Sequence, residues 1–201
     1  LPWQTVYSLL STQALMHHHG IPFEVKICAG HAYAQYSRSL LCLDFLKSEH
    51  NRMFWIDSDM AWNADSFLRI LALSTKMPVI GAAYPARQDE LLFLINADKE
   101  VKYNDLGFVV VDGLGLGFTC VAREVIEKLA ERAPKLRTMR SKDNPEPHIF
   151  RIDEIDGWFR GEDMAFFADI RDLGYEVCVD PSIELGHIGP KIWQAKFQDC
   201  I

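Results

Sequence analysis

A chain of 201 residues that is 49% hydrophobic and 11% aromatic is long enough to bury one large core and too apolar for a disordered polypeptide. Its formal net charge of -7 leaves no basic stripe to neutralise a nucleic-acid backbone, which excludes nucleic acid as a partner. No apolar run approaches the ~20 residues of a membrane span, so no transmembrane segment is expected, and no secretory signal is visible.

Residues 4–19 read as a helix with Val6, Leu9, Leu10 and Ala14 on one face, stopped by Gly20 and Pro22. His17, His18 and His19 at its end project about 100° apart, so they cannot converge on one ion. A strand is expected over 23–28, a polar loop over 29–36 and a helix over about 37–48. A strand over 53–56 is followed by a helix over 64–74, with Phe67, Leu68, Leu71 and Ala72 inward, and by a strand over 78–83. This alternation implies right-handed crossovers and an α/β fold, Rossmann-like, with a mostly parallel mixed sheet and helices on both faces. Short strands over 91–95, 108–112 and 117–122 suggest a small antiparallel extension. A helix over 123–132 gathers Ile126, Leu129 and Ala130. Residues 133–160 read as irregular, and Lys135, Arg137, Arg140 and Lys142 suit either a lid or a solvated loop. A helix over 162–173, a strand over 175–179 and a short helix over 191–198 complete a single domain spanning 1–201. The cysteines Cys28, Cys42, Cys120, Cys178 and Cys200 form no CxxC pair, which predicts reduced thiols in a cytoplasmic protein.

The chemistry concentrates where Met53-Phe54-Trp55-Ile56 ends in Asp57-Ser58-Asp59. Paired acids are costly in a buried strand, so the strand must surface at Asp57 and a cation must neutralise the pair. Residues i and i+2 of an extended segment share a side, and two hard oxygen ligands on one side suit Mn²⁺ or Mg²⁺. Three more features stand out: Gly113-Leu114-Gly115-Leu116-Gly117, Gly161-Glu162-Asp163 and Glu184-Leu185-Gly186-His187. Each alone has an ordinary structural explanation: a hairpin or bulge, a complement to a helix dipole, a core histidine.

Taken in this order, the four resemble the nucleotide-sugar-dependent glycosyltransferases of the GT-A fold. Phe118-Thr119-Cys120-Val121-Ala122-Arg123 and Gly174-Tyr175-Glu176-Val177 fit the same pattern, and the likeness runs over residues 23–189. The chain departs from the family at Leu1-Pro2, about where the first strand should end, so that strand is expected to be missing or supplied by a longer chain, which leaves base recognition open.

The resemblance implies a sugar nucleotide as donor, UDP-sugar favoured, a glycan or other hydroxyl acceptor, and a divalent cofactor, Mn²⁺ or Mg²⁺. It implies Asp59 and His187 as metal ligands, with Asp57 binding metal through water or contacting the ribose. Arg38, Ser58, Asp112, Gly113, Gly115 and Glu162 would bind the donor, the glycines, with Gly117, by letting backbone approach the sugar. Asp163 would be the general base of an inverting transfer; in a retaining enzyme it only orients substrate. Trp158 and Phe159 would form an acceptor platform or belong to the core, and Arg87 follows a strand end where it can face the cleft. Two other classes stay open. A nucleotidyltransferase would carry a Gly-rich, basic loop after its first strand and leaves Glu162, Asp163 and His187 unexplained. A non-catalytic sugar-nucleotide-binding module would be expected to have lost one of Asp59, Asp163 or His187.

Overall fold

The computed structural model describes residues 1–97, 100–138 and 141–201. Helix α1 (Trp3–His18) stops at Gly20, whose φ of 65° needs glycine, and is followed by α2 (Ala34–Lys47). Next come β1 (Arg52–Ile56), the short β2 (Met60–Ala61), α3 (Ala64–Leu73), which Asn63 caps by accepting from the Asp65 N–H, and β3 (Val79–Gly81). Five short strands follow: β4 (Ile95–Asn96), β5 (Lys102–Tyr103), β6 (Val109–Val111), β7 (Gly113–Leu114) and β8 (Phe118–Ala122). Helix α4 (Arg123–Arg132) leads to β9 (Lys135–Leu136) paired with β10 (Glu146–Pro147), then to the hairpin β11 (Asp153–Ile155) and β12 (Trp158–Arg160). Helix α5 (Glu162–Asp172), β13 (Val177–Val179), β14 (Glu184–Ile188) and β15 (Ile192–Lys196) end in a 3₁₀ turn over Phe197–Cys200.

The main sheet runs β1-β8-β3-β13-β6-β5. Among the described residues only β3–β13 is parallel; the other neighbours are antiparallel. The sheet is therefore mixed but mostly antiparallel, not mostly parallel. The α/β alternation does keep β1, β3 and β13 pointing one way. The difference is β8, which returns from the far side of the chain and inserts antiparallel between β1 and β3.

Alternation along the strands divides the core by sheet face. Trp55, Val79, Val121, Val177 and Val179 pack with Cys42 and Phe45 of α2, with α4 and with α5. Phe54, Ile56, Ile80, Cys120 and Cys178 pack with Phe67 and Ile70 of α3 and Met16 of α1. Helices thus cover both faces, as expected.

Three local readings are corrected. Residues 23–28 are an irregular, mostly exposed segment, with Phe23 resting edge-on against Phe67. Residues 192–196 form β15 rather than a helix, paired with β14. Helix α1 buries Thr5, Ser8, Thr12 and Met16, and leaves Val6, Leu10 and Ala14 exposed. Its polar stripe serves an edge: Thr5 Oγ1 donates to the Met60 carbonyl (2.8 Å), Ser8 Oγ to the Trp62 carbonyl (2.8 Å), and Trp62 Nε1 to Thr12 Oγ1 (2.9 Å). Unsatisfied backbone groups at β2 outweigh the helix's apolar pattern.

Arg123 ties α2 to α4. It donates to the carbonyls of Phe45 (3.0 Å), Ser48 (2.7 Å) and His50 (2.7 Å), and its guanidinium lies 4.7 Å from the Phe45 ring. Arg123→Ala is expected to cost about 1.5–3 kcal/mol in urea unfolding, because partly buried carbonyls lose a charged donor.

Candidate functional site

β1 delivers Asp57 and Asp59 to the end of the sheet, and the short ladder that follows completes the arrangement. β2 pairs antiparallel with β14, Met60 opposite His187 and Ala61 opposite Gly186, and the Ile188 N–H donates to the Asp59 carbonyl (2.8 Å). This register sets His187 Nε2 3.7 Å from Asp59 Oδ2, although the residues lie far apart in sequence. His187 Nδ1 is 2.9 Å from the Pro85 carbonyl, and its Nε2 accepts from Arg87 Nε at 3.0 Å. The imidazole is therefore the Nδ1–H tautomer, with the Nε2 lone pair taken by Arg87 and Asp59 Oδ2 3.7 Å away. Burial, and then the positive charge of Arg87, hold the ring's pKa below its ordinary value, against the Pro85 hydrogen bond and Asp57. Its neutral form contributes stability above pH 6.5 that is lost as pH falls through the lowered folded value.

Each acid of the pair has its own arginine. Arg38, in the first turns of α2, reaches Asp57 Oδ1 with Nη2 (3.0 Å) and lies 3.2 Å from Glu162 Oε1 with Nη1. That second contact lies outside hydrogen-bond geometry, so the buried Nη1 has no hydrogen-bond partner. Arg87 pairs with Asp59 as well as with His187. The cation required by the acidic pair is thus present in the protein itself. Ser58, between the acids, is exposed, and its carbonyl accepts from Thr5 Oγ1 (3.3 Å).

Tyr84 is the residue that sequence reasoning missed. Its buried ring stands edge-on to His187, with centroids 5.1 Å apart, and its hydroxyl donates to Asp57 Oδ2 (3.4 Å). Burial, with Asp57 and Asp163 nearby, raises its pKa, so it stays a donor. The glycine series makes this possible. A Cβ on Gly117 or on Gly115 would stand 2.7 Å from the Tyr84 ring, and the one on Gly115 closer still to the Tyr84 hydroxyl. Gly113 instead faces Met164 and Phe167 of α5. The space beside Gly115 and Gly117, expected to admit a sugar, is filled by a side chain. Gly115→Ala is expected to displace Tyr84 and cost about 1–3 kcal/mol in denaturant unfolding.

Glu162 and Asp163 open α5, where the helix dipole favours negative charge. Asp163 Oδ1 accepts from the Met164 N–H (2.8 Å), yet burial outweighs this bond and Arg38, and raises the carboxyl's pKa. Asp112 is not brought to this cluster. It pairs with Arg171 in the last turn of α5, about 12 Å of helix away from Asp163, in a depression shared with Lys102 and Tyr175.

Residues 133–160 carry more structure than expected. Asp156 and Gly157, at φ 52° and 80°, make the two-residue turn of the β11–β12 hairpin. Its base is fixed by Arg160, which donates to both oxygens of Asp153 (2.7 Å each), and by Arg151, which bridges Asp153 and Asp169 of α5. Trp158 and Phe159 are 79% and 76% exposed on the strand that runs into Glu162. They lie outside the core. Lys135, Arg137 and Lys142, which suit either a lid or a solvated loop, are exposed, and Arg140 lies outside the described residues.

Among the described residues no three His, Cys, Asp or Glu side chains gather to hold an ion by themselves. Asp59 and His187 nonetheless make a compatible pair of donors: one carboxylate oxygen and one imidazole nitrogen whose tautomer is fixed by a carbonyl on its other side, near enough for one ion to bridge. No helix among them is long and apolar enough to cross a membrane.

No protein-family model matches the sequence, and neither does any curated protein. Among solved structures, the crystal structure of A197 from STIV is similar, with a TM-score of 0.60 and 16% identity, over 95% of this chain and 83% of that one. A likeness at that identity defines a shared α/β fold with a mixed sheet.

Proposed function

We propose that this protein is a metal-dependent glycosyltransferase of the GT-A type, moving a sugar from a nucleoside diphosphate, UDP favoured, to a hydroxyl of a glycan or similar acceptor with inversion. The observation that carries this reading is the meeting of Asp57, Asp59, His187, Glu162 and Asp163, linked through Arg38, Tyr84 and Arg87, at one end of the sheet.

Asp59 and His187 would hold Mn²⁺ or Mg²⁺, which supplies Lewis-acid stabilisation of the leaving diphosphate. Asp57, fixed by Arg38 and Tyr84, is left to accept from the ribose or from a metal-bound water. Glu162, tied to the same arginine, accepts from a hydroxyl of the donor sugar. Asp163 takes the proton of the acceptor hydroxyl as that oxygen attacks the anomeric carbon; its raised pKa makes it a stronger base than an ordinary carboxylate. Trp158 and Phe159 offer flat apolar faces on which an acceptor sugar can stack. The buried thiols of Cys42, Cys120 and Cys178 accord with a reducing, cytoplasmic setting.

The test is release of nucleoside diphosphate across a panel of UDP- and GDP-sugars, with Mn²⁺ and with EDTA. Metal-dependent release from one donor class is expected; no release from any donor would contradict the proposal.

A further inference from the structure

Arg87 is the residue whose role the proposed reaction leaves open. It follows Pro85, the residue whose carbonyl fixes the His187 tautomer. Its Nε donates to His187 Nε2 at 3.0 Å and its Nη2 pairs with Asp59 Oδ2, so one guanidinium occupies both lone pairs offered to an ion. Gly189 gives its stem room: a Cβ there would lie 3.2 Å from Arg87 Cδ and 2.8 Å from the Trp193 ring. The side chain is 42% exposed, so it has solvent to move into, unlike Arg38 at 14%.

A guanidinium and a divalent cation cannot both take the Nε2 lone pair of His187, and their charges repel. We propose that Arg87 is a place-holding cation. It closes the Asp59–His187 pair in the metal-free protein, gives way when the divalent ion binds, and moves its fork of donors onto the diphosphate that arrives with the ion. The inference rests on the metal reading of Asp59 and His187. It gives the site an order: the ion alone binds against a competitor built into the fold, whereas ion and diphosphate together give the displaced arginine a new anionic partner. A fork of N–H donors matches phosphate oxygens as well as it matches a carboxylate. Metal and nucleotide therefore bind with positive coupling, which Arg87 carries.

The experiment is titration of Mn²⁺, followed by the electron paramagnetic resonance signal of the free ion, on wild type, Arg87→Ala, Arg87→Lys and Asp59→Asn, with and without UDP. Arg87→Ala is expected to bind Mn²⁺ alone roughly tenfold more tightly than wild type, and UDP at saturating Mn²⁺ roughly tenfold more weakly. Arg87→Lys, which keeps a charge but loses the fork, falls between on both. If Arg87→Ala leaves Mn²⁺ affinity unchanged while Asp59→Asn lowers it, the place-holder is overturned and the metal site stands. If Arg87→Ala binds UDP as well as wild type does, the transfer to diphosphate is overturned. If Asp59→Asn also binds Mn²⁺ like wild type, the metal reading fails and takes this inference with it.

Discussion

Asp163→Asn is expected to abolish sugar transfer while leaving Mn²⁺-dependent binding of the nucleotide intact. A positioned general base contributes about 10²- to 10⁴-fold, so kcat should fall by that range while the affinity for UDP changes less than about twofold. The substitution keeps the oxygen that accepts from the Met164 N–H, so the start of α5 is preserved. The same change carries a stability signature. Burial raises the Asp163 carboxyl above its ordinary value of 3.8, so its contribution to stability is complete below that value and is lost as pH rises through the folded one. The neutral amide escapes that loss. Asp163→Asn should therefore melt higher than wild type at neutral pH, and the two curves should meet below pH 3.8. For the proposed transfer, the acidic limb of kcat/KM should lie above 3.8. A loss of nucleotide binding equal to the loss of turnover would show that Asp163 is not the base.

Asp59→Asn should have the opposite profile. Removing the charge withdraws the proposed metal ligand and leaves Arg87 without its carboxylate, so affinity for UDP in the presence of Mn²⁺ should fall at least ~100-fold. In EDTA, where nucleotide binding is already weak, wild type and variant should be nearly alike. Calorimetry with UDP in the two buffers separates these cases. Equal losses with and without Mn²⁺ would assign Asp59 to direct nucleotide contact instead.

The parts of this picture visible in the sequence are those governed by local rules. Ile56 ends β1 where the acids begin, since buried carboxylates are costly. Arg123–Arg132 is a helix as read, and Glu162-Asp163 opens α5. Strand order was not legible. Nothing in Phe118–Ala122 says that it inserts between β1 and β3, because both of its faces would be buried at the centre or the edge of the sheet alike. The inward face of α1 was hidden for a related reason: Thr5, Ser8 and Thr12 face inward to satisfy carbonyls and an indole 50 to 55 residues away in sequence. The hairpin carried a signal that the charge of residues 133–160 obscured, since Asp156-Gly157 between Ile155 and Trp158 is a strong two-residue turn. In the site, the glycine series marked a close approach, and only the fold could show that Tyr84 makes it.

Binding of a divalent ion between Asp59 and His187 is tested by anomalous scattering at the manganese edge from crystals grown with Mn²⁺ and UDP. One peak is expected within bonding distance of both Asp59 Oδ2 and His187 Nε2, with Arg87 turned away from them toward the diphosphate. UDP bound elsewhere, or a peak that touches neither Asp59 nor His187, would contradict it.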